Sequence, residues 1–186
     1  MGVLEKESRK KKYNSGMGEP FEVTKSPIEG NGGFATRVIK KGERICLMQG
    51  EEISVQELRK RYEAGEERST DPLQVDRAVY VDMEARYVAI NHSCDPNAAI
   101  IHRNELVALR DIQLGEEIFY DYSATDWPND EYWDGYDAWV MPCRCGASSC
   151  RKTITEWQYL PKEVQYKFVR GGVVQDYILK KYSNQT

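Results

Sequence analysis

The 186 residues, 40% hydrophobic and 30% charged, suffice for one domain with a core of its own and small appendages. A formal net charge of −4 argues against a general polyanion-binding surface, and no run of about 18 apolar residues offers a membrane span, so the sequence reads as a soluble intracellular chain. Five cysteines, an odd number without secreted-scaffold spacing, favour a metal over disulfides.

In chain order, residues 1–18 read as a polar, disordered tail. Its basic run Arg9-Lys10-Lys11-Lys12 is a solvated segment first and a nuclear address second. From Phe21 onward the text breaks into short stretches rich in β-branched and aromatic residues: "FEVTK", "FATRVI", "RICLM", "AVYVD", "NAAIIH", "ELVALR" and "EIFYDY". Gly30, Gly32 and Gly33 punctuate the first pair, "KKGE" the second, and Asn104 marks a hairpin between His102 and Glu105. Ser54 with Glu57 forms a capping box opening a helix in which Val55, Leu58 and Tyr62 recur until Gly65. A second helical region opens at Pro161, with Val164 and Phe168 inward, and pauses at Gly171-Gly172. The expected fold is mainly β with short helices, which excludes a doubly wound nucleotide-binding sheet.

Near the C-terminus, "MPCRCGASSC" places Cys143, Cys145 and Cys150 within eight residues. Gly146 permits the tight turn that lets the first two thiols face one point. Three thiols in a polar loop indicate a structural zinc, which requires four ligands. Cys46 lies in the apolar "RICLM" and reads as a buried thiol. Cys94, in the polar turn "NHSCDPNA", is the better candidate, with His92 as a competitor.

Three segments in order, "NHSCDPN" at 91–97, "ALRDIQLGEEIFYDY" at 108–122 and "CRCGASSCRKTI" at 143–154, resemble SET-domain protein lysine methyltransferases with a post-SET zinc motif. "EGNGGFAT" at 29–36 is similar to that family's first glycine-containing motif. The resemblance covers Phe21 to Ile154. It implies small curved β-sheets with a knot-like C-terminal threading, S-adenosyl-L-methionine as methyl donor, and a structural zinc held by Cys94, Cys143, Cys145 and Cys150. It implies Tyr122 as catalytic tyrosine and Tyr120 as a neighbour whose hydroxyl favours mono- or dimethylation. It further implies that Asn31, Gly32, Phe34, Asn91, His92, Tyr122 and Ile154 contact the cofactor. The resemblance divides the chain into a SET domain at 19–142, a post-SET zinc segment at 143–155 and a C-terminal helical extension at 156–186.

Three departures stand out. Val88, Ala89 and Ile90 occupy an Arg-aromatic-aliphatic run of the family, leaving room beside Ala89. Gly33 replaces a larger apolar residue, and no cysteine-rich pre-SET region precedes the domain. Substrate choice then falls to the insert at Ser54–Val75, to the tail after Thr155, or to the stretch Ser123–Pro142. That stretch carries Trp127, Tyr132, Trp133, Tyr136 and Trp139 with Asp126, Asp130, Glu131, Asp134 and Asp137, and no Lys or Arg. Such a loop suits a basic protein or peptide, a histone tail being the candidate, or else is a solvated loop anchored by its tryptophans. The expected location is the nucleus or chromatin in a eukaryote, with no direct nucleic-acid site. The alternative function is a catalytically silent, zinc-stabilised interaction module.

Overall fold

The structure is a computed structural model that describes residues 18–66, 71–128, 133 and 138–184. The basic run at 9–12 and the acidic or aromatic positions 130–132, 134, 136 and 137 lie outside the described residues.

The strands, in chain order, are β1 (Phe21–Lys25), β2 (Asn31–Ala35), β3 (Arg44–Leu47), β4 (Gly50–Ser54), β5 (Leu73–Asp76) and β6 (Val79–Met83). They continue with β7 (Ala98–Ile101), β8 (Glu105–Ala108), β9 (Glu117–Ile118), β10 (Val140–Pro142) and β11 (Thr153–Thr155). The helices are α1 (Val55–Glu63), α2 (Ala85–Val88), α3 (Lys162–Gly171) and α4 (Asp176–Ser183). Three small antiparallel sheets have the orders β1-β2-β9, β3-β8-β7 and β4-β6-β5, and β10 pairs with β11 alone. Among the described residues no strand exceeds five residues, so each sheet buries one face only by leaning on its neighbours.

The shared core lies between the sheets, where Ile39, Met48, Ile90, Leu106, Ile112 and Ile118 are fully buried. Each such side chain contributes about 1.5–3 kcal/mol. A second core joins Ala124, Trp127, Trp157, Leu160, Phe168, Val174 and Ile178, so the two C-terminal helices pack on the segment following the tyrosines. Gln175, fully buried just before α4, donates from Nε2 to the carbonyls of Gln74 at 2.9 Å and Arg103 at 2.6 Å. The helices are thereby fastened to β5 and to the β7–β8 turn. Among the described residues no helix is long and apolar enough to cross a membrane.

Local expectations hold in type and shift in extent. Ser54 caps α1, its Oγ accepting the Glu57 amide at 3.2 Å, but Glu57 reaches forward to Arg61 instead of completing the box. Val55 and Leu58 are buried, whereas Tyr62 is 43% exposed, because a helix of nine residues lying on one sheet buries a narrow face. Pro161 precedes α3, and Gly172 ends it with φ 64°. "EIFYDY" is a strand only at Glu117–Ile118; beyond it Tyr120 leaves the sheet to form a parallel bridge with His92. The chain at 119–122 thus runs beside the 90–94 turn, with the Tyr120 amide donating to the Asn91 carbonyl and the Ser93 amide to the Tyr120 carbonyl.

Candidate active site and metal centre

That crossing sets up the site. An open cavity of about 550 Å³ is lined by Gly30 and Asn31 from the first turn and β2, Ala89, Asn91 and His92 from the 89–92 turn, Tyr120 and Tyr122, and Met141 and Ile154 from β10–β11. Its volume is that of a small-molecule or cofactor site. Asn91 is held from three sides, its Nδ2 donating to Glu117 Oε1 at 2.8 Å, to the Asn31 carbonyl at 2.9 Å and more loosely to the Glu29 carbonyl. Glu117 is buried and also accepts from Ser26 Oγ at 3.0 Å.

Gly32 also has a packing purpose. A Cβ on Gly32 would lie 2.1 Å from Glu117 Oε1, so the glycine makes room for the carboxylate that positions Asn91. Gly32 and Phe34 stand on β2 behind the cavity and do not line it. A Cβ on Gly33 would sit 3.2 Å from both Ile90 and Phe21, which occupy the space of a larger side chain there. The room beside Ala89 belongs to the cavity itself.

Tyr122 begins a 3-10 turn at Tyr122–Ala124 whose cap is Asp121, accepting from the Ser123 amide at 3.1 Å. Its hydroxyl donates to the Ile90 carbonyl at 2.8 Å, which leaves the phenolic lone pairs for the cavity. Its ring lies 4.8 Å from that of Tyr120 and 5.4 Å from that of His92. Tyr120 is buried, and burial raises its phenol far above the ordinary tyrosine range, so it stays a neutral hydroxyl.

Beside the cavity, His92, Cys94, Cys143 and Cys145 present ligand atoms all within 4.8 Å of one another. Cys94 Sγ is 3.7 Å from Cys143 Sγ and 3.3 Å from His92 Nε2. The imidazole's role follows from its other nitrogen. Nδ1 faces the Tyr122 amide at 3.2 Å, and an amide can only donate, so Nδ1 carries the lone pair and Nε2 the proton. In this tautomer His92 donates toward the Cys94 sulfur. Burial, only partly opposed by Asp121, holds the ring neutral by lowering its pKa to about 4.

Backbone amides also point at sulfur: Cys94 N–H at Cys145, Arg151 N–H at Cys94 and Lys152 N–H at Cys150, at 3.4–3.5 Å. Gly146 at φ 73° and Lys152 at φ 68° give the left-handed turns that aim them. Cys145 is pulled down to about 6 against its own burial by the amides of Cys94 and Ala147 and the thiols around it. Donors converging on sulfur are what a set of metal-bound thiolates requires, and the residues fit a zinc. Cys150 Sγ lies 3.9 Å from the Cys143 carbonyl, on the rim of the group. Cys46 is buried apart from it, against Met48.

A link between this cluster and the tyrosines has no motif in the sequence. Arg151, one residue past Cys150, donates to Asp121 at 2.7 Å and lies 3.4 Å from Ser123 Oγ. Asp121 was visible only as the acid between two tyrosines in "FYDY"; a fully buried carboxylate there demands a cation.

A second, narrow cavity of about 30 Å³ shares Met83, Tyr120, Tyr122 and Met141 with the large one, and adds Pro72, Leu73, Thr125, Asp126 and Trp139. The two spaces meet at the tyrosines. Trp127 and Trp133, in contrast, are anchors: Trp127 belongs to the second core, and Trp133 donates from its indole to Tyr80 at 3.1 Å.

A fold of small sheets whose tyrosine segment runs beside an Asn-His turn, closed by a cysteine cluster, defines a recognisable class. The family model for the SET domain matches residues 30–123, half of the chain, and the chain belongs to the SET-domain family. It is 38% identical over 120 residues to the Plasmodium falciparum protein named variant-silencing SET domain-containing protein, covering 55% of this chain and 5% of that one. It is 32% identical over 141 residues to Drosophila melanogaster histone-lysine N-methyltransferase Su(var)3-9, covering 64% of this chain and 22% of the relative. Among solved structures, the Polycomb Repressive Complex 2 of Chaetomium thermophilum, in an autoinhibited conformation bound to S-adenosylmethionine, superposes with a TM-score of 0.50 at 29% identity. That similarity covers 60% of this chain and 16% of the other. The chain thus spans under a quarter of the length of each of these three proteins.

Proposed function

We propose that the chain is a protein-lysine N-methyltransferase that uses S-adenosyl-L-methionine, with a basic protein such as a histone as substrate and a nuclear or chromatin location. The single observation that carries this reading is the meeting of an open cavity and a narrow one at Tyr120 and Tyr122. A cofactor-sized space on one side and a narrow space on the other, meeting at two tyrosines, is an arrangement that suits bringing a lysine to a methyl group.

The cofactor, bound in the larger space, supplies a methyl group on a sulfonium that becomes a neutral thioether when the methyl leaves. The chain's residues then have to supply alignment and a neutral amine. Asn91, fixed by Glu117 and the Asn31 carbonyl, together with Asn31, the His92 backbone, Ile154 and the β2 residues Gly32 and Phe34 behind it, frames the cofactor. Tyr122, its proton committed to Ile90, offers lone pairs that orient the amine and accept weak contacts from the methyl hydrogens. Leu73, Met83, Met141 and Trp139 give the narrow space an apolar side, and a sulfonium bound beside it disfavours a second positive charge, so the lysine loses its proton to water before attack. The Tyr120 hydroxyl holds a water that crowds out a further methyl, favouring mono- or dimethylation.

Cys94, Cys143, Cys145 and Cys150 hold a structural zinc, with no position open for catalysis. Through Arg151, Asp121 and the His92 ring, this clasp at 143–155 is tied to the Tyr122 backbone. Incubation with methyl-labelled S-adenosylmethionine and purified core histones should label them. Tyr122→Phe should lower the rate about a hundredfold or more while cofactor affinity stays within about twofold, since misplacing a reacting group costs on that order. A wild-type chain that binds no cofactor when loaded with zinc would remove the reading.

A further inference from the structure

The narrow cavity has one wall that the proposed function leaves unused. Asp126 lines it together with Tyr120, Tyr122, Thr125, Trp139 and Met141. We propose that Asp126 is a substrate-recognition carboxylate, accepting a hydrogen bond from the target lysine's ammonium as it enters this cavity. The inference rests on the lysine-methyltransferase reading above.

Three observations carry it. The first is placement, a carboxylate on the wall of the narrow cavity beside Tyr120 and Tyr122. The second is rigidity. The Trp139 indole N–H donates to Asp126 Oδ2, and the Asp126 carbonyl accepts the Trp157 amide at 2.8 Å. The neighbouring Thr125 carbonyl lies 3.0 Å from Tyr177 Oη of α4. One indole N–H leaves most of the carboxylate's lone pairs available, since it can accept about four bonds.

The third is the absence of a resident counter-ion. Among the described residues no cation stands within ion-pair distance of Asp126. Lys181, whose charge acts on Asp126, donates to the carbonyls of Trp127 at 3.3 Å and Pro128 at 2.9 Å. Burial, reinforced by the charge of Glu156 and eased by the Trp139 hydrogen bond and Lys181, raises Asp126 to about 7. A half-buried carboxylate without a cation gains from one that arrives with the substrate. An anion beside an ammonium also raises the ammonium's pKa, so Asp126 serves capture in the channel and not attack on the methyl. Unmodified and monomethylated lysines bring N–H groups to this oxygen, whereas a trimethylated lysine brings none.

The test compares wild type with Asp126→Asn, which keeps an acceptor oxygen for the Trp139 indole but loses the charge. Synthetic core-histone tail peptides, with lysines or with norleucines in their place, would be titrated at about pH 8, and kcat and KM measured with the lysine peptides. Wild type should prefer lysine over norleucine by about tenfold, the worth of one charge-assisted hydrogen bond. Asp126→Asn should nearly abolish that preference and raise KM about tenfold, with kcat and cofactor affinity within about threefold. An unchanged lysine preference in the variant, or none in wild type, would overturn the proposal while labelling and cofactor binding left the methyltransferase reading intact. Loss of cofactor binding in wild type itself would remove both.

Discussion

Two side chains show how position decides chemistry here. Tyr122 and Asp126 are four residues apart, the first opening a 3-10 turn and the second just beyond it, and both line the narrow cavity. Tyr122 gives its proton to a backbone carbonyl and so faces the cavity as an acceptor. Asp126 meets the cavity as a carboxylate whose pKa burial has raised to about 7. The sign of its effect on stability follows. The folded chain binds the proton more tightly than the unfolded one, where Asp titrates near 3.9, so the stabilisation is complete below about pH 4 and is lost as pH rises through about 7. The melting temperature of wild type minus that of Asp126→Asn should therefore fall between about pH 4 and 7 and level off above about 8. A difference that stays constant across that range, measured by calorimetry in matched buffers, would show that Asp126 is not desolvated as the fold implies. Tyr122 was legible in the sequence because "FYDY" sits in a long motif. Asp126 was not, being one of five acids in a stretch without Lys or Arg, with only the backbone path to turn it inward.

At the scale of elements, β10 and β11 form a two-stranded hairpin with no sheet around them and three cysteines in their connection. A pair of that size is marginal in water, so the metal must supply what a core would. Removing zinc with a chelator should lower the melting temperature and weaken cofactor affinity by about tenfold or more, because Met141 and Ile154 wall the cavity. Re-addition of zinc should restore both. Cofactor affinity that survives complete removal would separate the clasp from the pocket. The cysteines were legible from their spacing, and Cys94 from the motif around it. The hairpin was not, since "VMP" and "TIT" are too short and too polar at their flanks to read as strands. β4 and β5 were missed for a related reason: "GEEIS" and "LQVD" exist as strands through pairing with β6, a non-local event that no periodicity records. α2, four residues between β6 and the 89–92 turn, is too short for a helical repeat to register.

For the whole molecule, the C-terminal helices are part of what makes the site. Their apolar faces, with Trp157 fully buried at the centre, close a second core beneath Ala124 and Trp127. Gln175 and Tyr177 then fasten α4 to β5 and to the Thr125 carbonyl, so the channel wall is backed by residues fifty positions further along the chain. From sequence the segment after Pro161 is a helical extension and no more, because hydrophobic spacing reveals a face to bury but not what covers it. The same architecture makes the central claim, that a lysine passes through the narrow cavity to a methyl group in the large one, open to a direct measurement. Core histones incubated with the zinc-loaded chain and S-adenosylmethionine, then digested and sequenced by tandem mass spectrometry, should carry one or two added methyl groups on lysine side chains. The modification should be absent with Tyr122→Phe. Methylation confined to other residue types, or equal methylation by wild type and Tyr122→Phe, would contradict the account.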